Sequence, residues 1–135
     1  MSILSVSILV FIAGNALAQQ KIVRKELYTA NIGPQTISTV DVREIVLQPE
    51  QKGGLHRHPC PVISYIVEGE IRFQIRGEQE KIIRAGEVCY EPAGAIIEHF
   101  DNASDRVPAK FIPYYLLNRQ KELIEMLPSP KTKPQ

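Results

Sequence analysis

Hydrophobic and polar positions alternate with a period of two over much of the chain. In residues 70–76 every second side chain is apolar, namely Ile71, Phe73 and Ile75. Because successive side chains of a strand point to opposite faces, this pattern predicts a half-buried β-strand. The preceding run at 62–67 is rich in β-branched and aromatic residues, and Glu68-Gly69 between the two runs is typical of a tight turn. We therefore predict that the two runs form a β-hairpin.

Further strands are predicted on both sides of this hairpin. They cover residues 36–47, 79–84, 88–91, 95–101 and 109–117. In the first of them the apolar positions change phase after Val42, and a β-bulge near Arg43-Glu44 would account for the change. Short strands separated by turns that contain Gly and Pro predict an all-β sandwich or small barrel.

The C-terminal part has a different pattern. Asn118 is a suitable cap for a short α-helix through Leu127, with a rough apolar stripe along it, and Pro128 would end that helix. Residues 129–135 contain no apolar side chain and are predicted to be a disordered tail.

The N-terminal part predicts export. Residues 1–18 carry no charged side chain, and an apolar run is followed by Ala16-Leu17-Ala18, which is typical of a signal-peptidase site. An uncleaved membrane anchor is the alternative, although the segment is short for a membrane span. We expect residues 1–18 to be a signal peptide, residues 19–128 to be one domain, and the mature protein to be secreted or periplasmic, without stable membrane insertion.

Charge and length limit the class of partner. The 135 residues include 16 Lys and Arg and 15 Asp and Glu, which gives a net charge of +1. Nucleic-acid binding requires a concentrated basic surface, so this balance argues against a nucleic-acid partner. A chain of this length supplies one hydrophobic core, and we expect a small molecule as the partner.

Two histidines are the first candidates for chemistry. His56 and His58 are two residues apart, and on an extended chain they share a face. Both imidazoles could then reach one metal ion. A pair of polar residues at the end of a strand is the alternative interpretation.

The surroundings of these histidines resemble the cupin superfamily. Gly54 precedes His56-Arg57-His58-Pro59, and the run ending in Glu68-Gly69-Glu70 follows at the spacing of the first cupin motif. Gly86, Pro92-Ala93-Gly94 and Asn102 resemble the second motif. The resemblance implies a double-stranded β-helix (jelly-roll) barrel, here with the short C-terminal helix added.

The resemblance also implies a metal site, from which this sequence departs. Metal-binding cupins use two His and a Glu from the first motif and a third His from the second, and here the last two positions are Val62 and Ile97. His99 lies two residues beyond Ile97, so in a regular strand it would point to the same face. We therefore predict a site of His56, His58 and His99 that holds iron, zinc, copper or nickel. A cupin without metal, with a small apolar pocket, is the alternative.

Two cysteines and two tyrosines lie in or beside the two motifs. An exported compartment favours a disulfide between Cys60 and Cys89, whereas a free thiol near the barrel mouth is the alternative. Tyr65 and Tyr90 are expected to line the ligand pocket together with Val62 and Ile97.

Three functions agree with these predictions. The first is a metal-dependent small-molecule enzyme resembling the dioxygenases, isomerases and decarboxylases among cupins. The second is a non-catalytic module that binds an apolar ligand inside the barrel. The third is a structural role as a homodimer formed through edge strands. One fold supports many activities, so the fold alone does not decide among these functions.

Overall fold

The computed structural model describes residues 21–128. The predicted signal peptide at 1–18 and the predicted tail at 129–135 lie outside the described residues. Within residues 21–128 no helix is long and apolar enough to cross a membrane.

The described residues form two antiparallel five-stranded sheets. The strands, in chain order, are β1 (Thr39–Val42), β2 (Ile45–Leu47), β3 (His56–Arg57), β4 (Val62–Glu68), β5 (Glu70–Ile75), β6 (Lys81–Arg84), β7 (Val88–Glu91), β8 (Ile97–Asn102), β9 (Ala109–Leu117) and β10 (Glu125–Met126). The first sheet has the order β1-β9-β4-β7, with β2 also paired to β9, and the second has the order β10-β3-β8-β5-β6. The all-β prediction is confirmed.

The predicted bulge between β1 and β2 is replaced by a simple interruption. Val42 lies opposite Tyr114 and Ile45 opposite Phe111, so both strands advance by three residues and the register is unchanged. The strand is interrupted opposite Pro113, which has no N–H to donate to the ladder. The apolar positions change phase because Val42 is exposed on the outer face of the sheet.

The predicted hairpin at Glu68-Gly69 is wrong, because its two strands belong to different sheets. β4 pairs with β7 and β9, whereas β5 pairs with β6 and β8. Gly69, at a φ of 75°, forms the corner at which the chain leaves one sheet for the other. A side chain is excluded there, since a Cβ would lie 2.7 Å from the Pro108 carbonyl oxygen. The corner places the two sheets face to face.

Apolar side chains fill most of the space between the sheets. The larger cluster of buried residues contains Leu47, Ile66, Ile71, Phe73, Cys89, Ile97, Phe100, Ala109 and Phe111. In it Phe100 packs against Phe111 with ring centroids 4.7 Å apart. A smaller cluster contains Cys60, Val62, Tyr115 and Leu117. His58 and Glu91 lie beside this smaller cluster, since His58 packs against Tyr115 and Glu91 lies opposite Val62.

The predicted C-terminal helix is absent, and the segment instead ends in β10, which pairs with β3. Arg119 has a φ of 66°, which is incompatible with an α-helix. A helix would join the Leu127 N–H to the Leu123 carbonyl. Here the Leu127 N–H donates to the Leu55 carbonyl at 2.8 Å, and the Leu123 carbonyl accepts from His58. Contacts with β3 therefore replace the contacts of a helix.

Candidate metal centre

Three buried polar side chains converge between the two sheets. They are His56 in β3, His58 just after it, and Glu91 at the end of β7. Glu91 Oε2 lies 3.4 Å from His56 Nε2 and 3.2 Å from His58 Nε2. All three residues are at most 4% exposed. One sheet thus supplies the imidazoles and the other supplies the carboxylate.

Hydrogen bonds to the main chain determine which ring nitrogen faces Glu91. His56 Nδ1 is 2.7 Å from the Gly54 carbonyl oxygen, and His58 Nδ1 is 2.6 Å from the Leu123 carbonyl oxygen. Because a carbonyl oxygen only accepts, each Nδ1 carries the hydrogen. In the neutral imidazole each Nε2 then directs a lone pair at Glu91.

Two glycines before His56 place the Gly54 carbonyl oxygen that accepts the hydrogen bond from His56 Nδ1. Gly54 has a φ of 81°, a conformation that glycine adopts without strain. Its neighbour Gly53 lies against β8, where a Cβ would come within 2.5 Å of the Phe100 carbonyl oxygen. The two glycines therefore hold the Gly54 carbonyl in place below the imidazole of His56.

Glu91 Oε2 has no hydrogen-bond partner among the described residues, although it is completely buried. An unpaired buried carboxylate oxygen is costly, and it faces the lone pairs of two imidazoles. A proton on an Nε2 or a metal cation between the three atoms would relieve this arrangement.

The directions of the pKa shifts agree with a proton on an imidazole Nε2. Burial disfavours charge on His58, but the neighbouring carboxylate of Glu91 and the Leu123 carbonyl outweigh it, so the pKa of His58 is raised. Burial likewise disfavours charge on Glu91, but His56 and His58 outweigh it and lower the pKa of Glu91. The cluster therefore favours an ionised Glu91 next to a protonated His58.

The donor atoms also fit a metal ion. Bonds of about 2.0–2.2 Å at tetrahedral angles put neighbouring ligand atoms about 3.3–3.5 Å apart. The separations of 3.2 and 3.4 Å from Glu91 Oε2 are close to that range. Carbonyl acceptors on the outer nitrogens are also typical of metal-ligating histidines. The residues present thus fit a divalent transition metal.

His99 does not join this cluster, which corrects the predicted three-histidine site. In the β5–β8 ladder Gln74 lies opposite His99, yet Ile75 lies opposite Ile97, so β8 carries one extra residue at Glu98. This bulge removes the regular alternation that would have put Ile97 and His99 on one face. His99 is instead partly exposed and contacts Asp101 at 2.8 Å and Arg72 at 3.3 Å.

The two aliphatic candidates have separate positions. Val62 is buried, lies opposite Glu91 in the β4–β7 ladder and lines the cavity at the cluster. Ile97 lies opposite His56 but belongs to the larger apolar cluster and does not line this cavity.

The two tyrosines predicted to line the pocket face away from it. On β4 the inward side chains are Val62, Ser64 and Ile66, so Tyr65 between them points outward. Tyr90 lies between buried Cys89 and Glu91 and lines a separate depression with Tyr28. The tyrosine that does line the cavity is Tyr115.

Tyr115 lies beside His58, with ring centroids 5.6 Å apart. Burial first, and the charge of Glu91 second, raise the pKa of Tyr115 to about 12. Its phenol therefore keeps its proton at neutral pH.

The predicted disulfide is not formed: Cys60 and Cys89 are both free thiols. They lie in different clusters of buried residues. Burial raises the pKa of each thiol. Both thiols therefore keep their protons at neutral pH, and neither belongs to the group of candidate ligands His56, His58 and Glu91.

The sequence interpretation did not identify Glu91. The available signal is the alternation in β7, where Cys89 and Glu91 share the inward face. A Glu on the apolar face of a short strand is unusual and would have marked the position.

A cavity of about 220 Å³ adjoins the cluster. Its walls are mainly apolar and include Ile45, Leu47, Phe100 and Phe111. Few side chains outside the cluster bring a polar group to the wall, and the buried ones among them are Ser64 and Tyr115. The site therefore combines three candidate ligands with space for a small molecule.

Several solved structures are similar in fold. A cupin-like protein from Thermotoga maritima MSB8 is 23% identical with a TM-score of 0.58, over 67% of this chain and 65% of that one. DMSP lyase DddQ from Ruegeria pomeroyi DSS-3 is 15% identical with a TM-score of 0.56, over 64% and 42%. Oxalate oxidase in complex with the substrate analogue glycolate is 21% identical with a TM-score of 0.56, over 65% and 46%.

The chain thus spans between 42% and 65% of the length of these three structures. No curated protein matches the sequence. A family model described as the cupin domain matches residues 43–115, which is more than half of the chain. This match agrees with the paired sheets and the buried histidines, and the chain belongs to the cupin domain family.

Proposed function

We propose that the protein holds a divalent transition metal at His56, His58 and Glu91 and acts on a small molecule in the adjoining cavity. The observation that carries this proposal is the buried Glu91 Oε2, which lacks a hydrogen-bond partner among the described residues and faces both Nε2 atoms. A metal cation satisfies all three atoms at once. Iron, zinc, copper and nickel all accept this donor set.

Two histidines and one carboxylate leave coordination positions open, as in catalytic zinc sites and non-haem iron oxygenases. A bound metal would act there as a Lewis acid toward the small molecule. The chain's own residues orient the ligands through the Gly54 and Leu123 carbonyls and exclude water with apolar walls. Tyr115 offers a protonated phenol at the cavity wall.

An enzymatic role, with dioxygenase-like or isomerase-like chemistry, is part of the proposal. Two of the similar structures are named as a lyase and an oxidase, which supports small-molecule chemistry on this fold. Their identities of 15% and 21% extend the likeness to the fold alone.

A non-catalytic module that binds a small ligand without metal is the second candidate. It is favoured by the aliphatic side chains of Val62 and Ile97, which stand where the cupin motifs place ligands. The apolar cavity walls would hold such a ligand without any metal.

Export remains part of the proposal. It is supported by the uncharged apolar run and Ala16-Leu17-Ala18 at the start of the sequence. Mass spectrometry of the protein recovered from its native host would test it: a mature chain beginning at Gln19 supports export, and an intact Met1 overturns cleavage.

Metal analysis of the purified protein tests the central proposal. We expect close to one metal ion per chain after expression with iron, zinc, copper and nickel supplied. The double variant His56→Ala/His58→Ala should lose it, whereas the matched control His99→Gln should retain it. Less than about a tenth of a metal per chain in the unchanged protein would reject the metal site and favour the binding module.

A further inference from the structure

Ser64 is a buried hydroxyl that the fold does not use. It lies in the middle of β4, is 1% exposed, and its Oγ has no hydrogen-bond partner among residues 21–128. Most buried polar side-chain atoms in proteins are paired, so an unpaired hydroxyl requires an explanation.

The residues next to Ser64 offer its hydroxyl no hydrogen-bond partner and do not explain why a serine is present. Its partners across the ladders are Cys89 on β7 and Pro113 on β9. Cys89 donates its thiol hydrogen to the main-chain carbonyl of Ser64 rather than to the hydroxyl. An alanine would therefore fill this position without losing a hydrogen bond within the protein.

Ser64 lines the same cavity as His56, His58 and Glu91. An unpaired hydroxyl thus belongs to a residue of the cavity wall, which is otherwise mainly apolar. A hydroxyl both donates and accepts, so it suits an oxygen of the ligand.

Charge narrows the class of ligand. A divalent cation with two neutral imidazoles and one carboxylate leaves a net charge of +1 in the cavity. Glu91 is the only acidic residue among the cavity-lining residues described, and Lys52 at the wall adds positive charge. A buried positive charge favours a ligand that carries one negative charge.

We propose that the cavity binds a small monocarboxylate with an apolar body, and that Ser64 Oγ donates a hydrogen bond to its carboxylate. This inference rests on the proposed metal site. The cavity of about 220 Å³ corresponds to about seven water molecules at ~30 Å³ each, which suits a short acid. Ile45, Leu47 and Phe111 would contact its hydrocarbon part.

Titration of the cobalt-loaded protein with butyrate tests this inference. Cobalt(II) replaces the native metal and reports changes of its ligands in its visible spectrum. We expect butyrate to produce a saturable spectral change and 1-butanol, which has the same chain without the charge, to produce none. The metal-free protein should not bind butyrate in calorimetry.

Variants then separate the hydroxyl from the metal. Ser64→Ala should weaken butyrate binding about tenfold, as loss of a hydrogen bond to a charged group does, with unchanged cobalt content. The control Ser38→Ala, at an exposed position outside the cavity, should bind butyrate like the unchanged protein.

Each failure has its own meaning. Equal butyrate binding by Ser64→Ala and the unchanged protein would overturn the role of Ser64. Cobalt binding without any response to butyrate would overturn the monocarboxylate while the metal site stands. Absence of cobalt binding would reject the proposed function and this inference together.

Discussion

The two histidine-bearing strands of this protein, β3 and β8, follow the same spacing rule with opposite results. His56 and His58 are two residues apart and both point inward, at 3% and 4% exposure. Ile97 and His99 are also two residues apart, but only Ile97 is buried. The difference is the extra residue in β8 opposite the step from Gln74 to Ile75. Period-two reasoning therefore holds only where the ladder is unbroken.

The histidines on or next to these two strands also differ in whether a ring nitrogen remains without a hydrogen-bond partner. His99 has partners for both ring nitrogens, Asp101 and Arg72. His56 and His58 use only Nδ1 for main-chain hydrogen bonds, so both Nε2 atoms remain directed at Glu91. A histidine is thus recognised as a candidate ligand by its uncommitted nitrogen rather than by its proximity to a motif.

The largest expected effect comes from Glu91→Gln, which keeps the side-chain shape and removes the charge. Loss of a partner outside the metal ligands commonly costs about 10–100-fold in affinity, so loss of a charged ligand should cost at least about 100-fold. The matched control is Glu98→Gln on β8, because Glu98 pairs with Arg76 at the surface. Calorimetric titration with zinc measures both, and similar affinities for the two variants would contradict the site.

A second variant, Ile97→His, places a histidine on β8 directly opposite His56 on β3. Ile97 does not line the cavity, but it lies directly opposite His56 in the ladder, so the side chain of Ile97→His should reach the cluster from beside His56, add a nitrogen ligand and raise metal affinity by about 10-fold or more. It should also lower the free energy of unfolding of the metal-free protein by about 1–3 kcal/mol, because a polar ring replaces a buried aliphatic side chain.

Zinc titration and urea unfolding measure these two quantities. Ile97→Val is the control for packing and should lose about 1 kcal/mol without a change in affinity. No gain in affinity from Ile97→His would show that Ile97 does not occupy the ligand position of the second motif.

Long elements were predictable because their signals are local. The alternation in β5 and the apolar run in β9 gave strands at almost the observed bounds, since period two requires only the pleat. The corner at Gly69 was predicted as a hairpin turn, because a Glu-Gly pair permits both structures. The strands that accept the hydrogen bonds of β4 decide between them, and these are distant in sequence.

The candidate site divides in the same way. His56 and His58 were predicted from a contiguous motif, but Glu91 is 33 residues beyond His58 and reaches it only through the packing of two sheets. The C-terminal segment was predicted as a helix from its apolar stripe. Its carbonyl at Leu123 is instead used by His58, a tertiary contact that no local pattern reveals.

A smaller effect is expected from Asp101→Asn on β8. The carboxylate of Asp101 accepts from the Gly53 N–H at 3.1 Å and contacts His99 Nδ1 at 2.8 Å. Replacement of one carboxylate oxygen by an amide group should cost about 1–2 kcal/mol of unfolding free energy. Metal affinity should stay within about twofold, because Asp101 is not a ligand. A fall of more than about tenfold in zinc affinity would show that β8 is energetically coupled to the site. The distinction between β3, which carries a candidate ligand, and β8, which does not, would then be weaker.

The smallest effect concerns the ion pair that joins β10 to β3. Arg57 Nε contacts Glu125 Oε2 at 2.7 Å, and this hydrogen bond, more than the charge, lowers the pKa of Glu125. A group with a lowered pKa contributes stability above its unfolded pKa and loses it as the pH falls through the folded value. The contribution of this exposed pair is therefore present at pH 7 and lost below about pH 4.

Urea unfolding of the metal-free protein and of Glu125→Gln at both pH values isolates the pair. The unchanged protein should have the slightly higher midpoint at pH 7, and the two midpoints should converge in acid, because protonated Glu125 and the substituted glutamine are both neutral. A difference that persists or grows in acid would mean that the substitution acts through something other than the charge of Glu125. In that case the support of His58 by the C-terminal segment would not depend on the charge of Glu125.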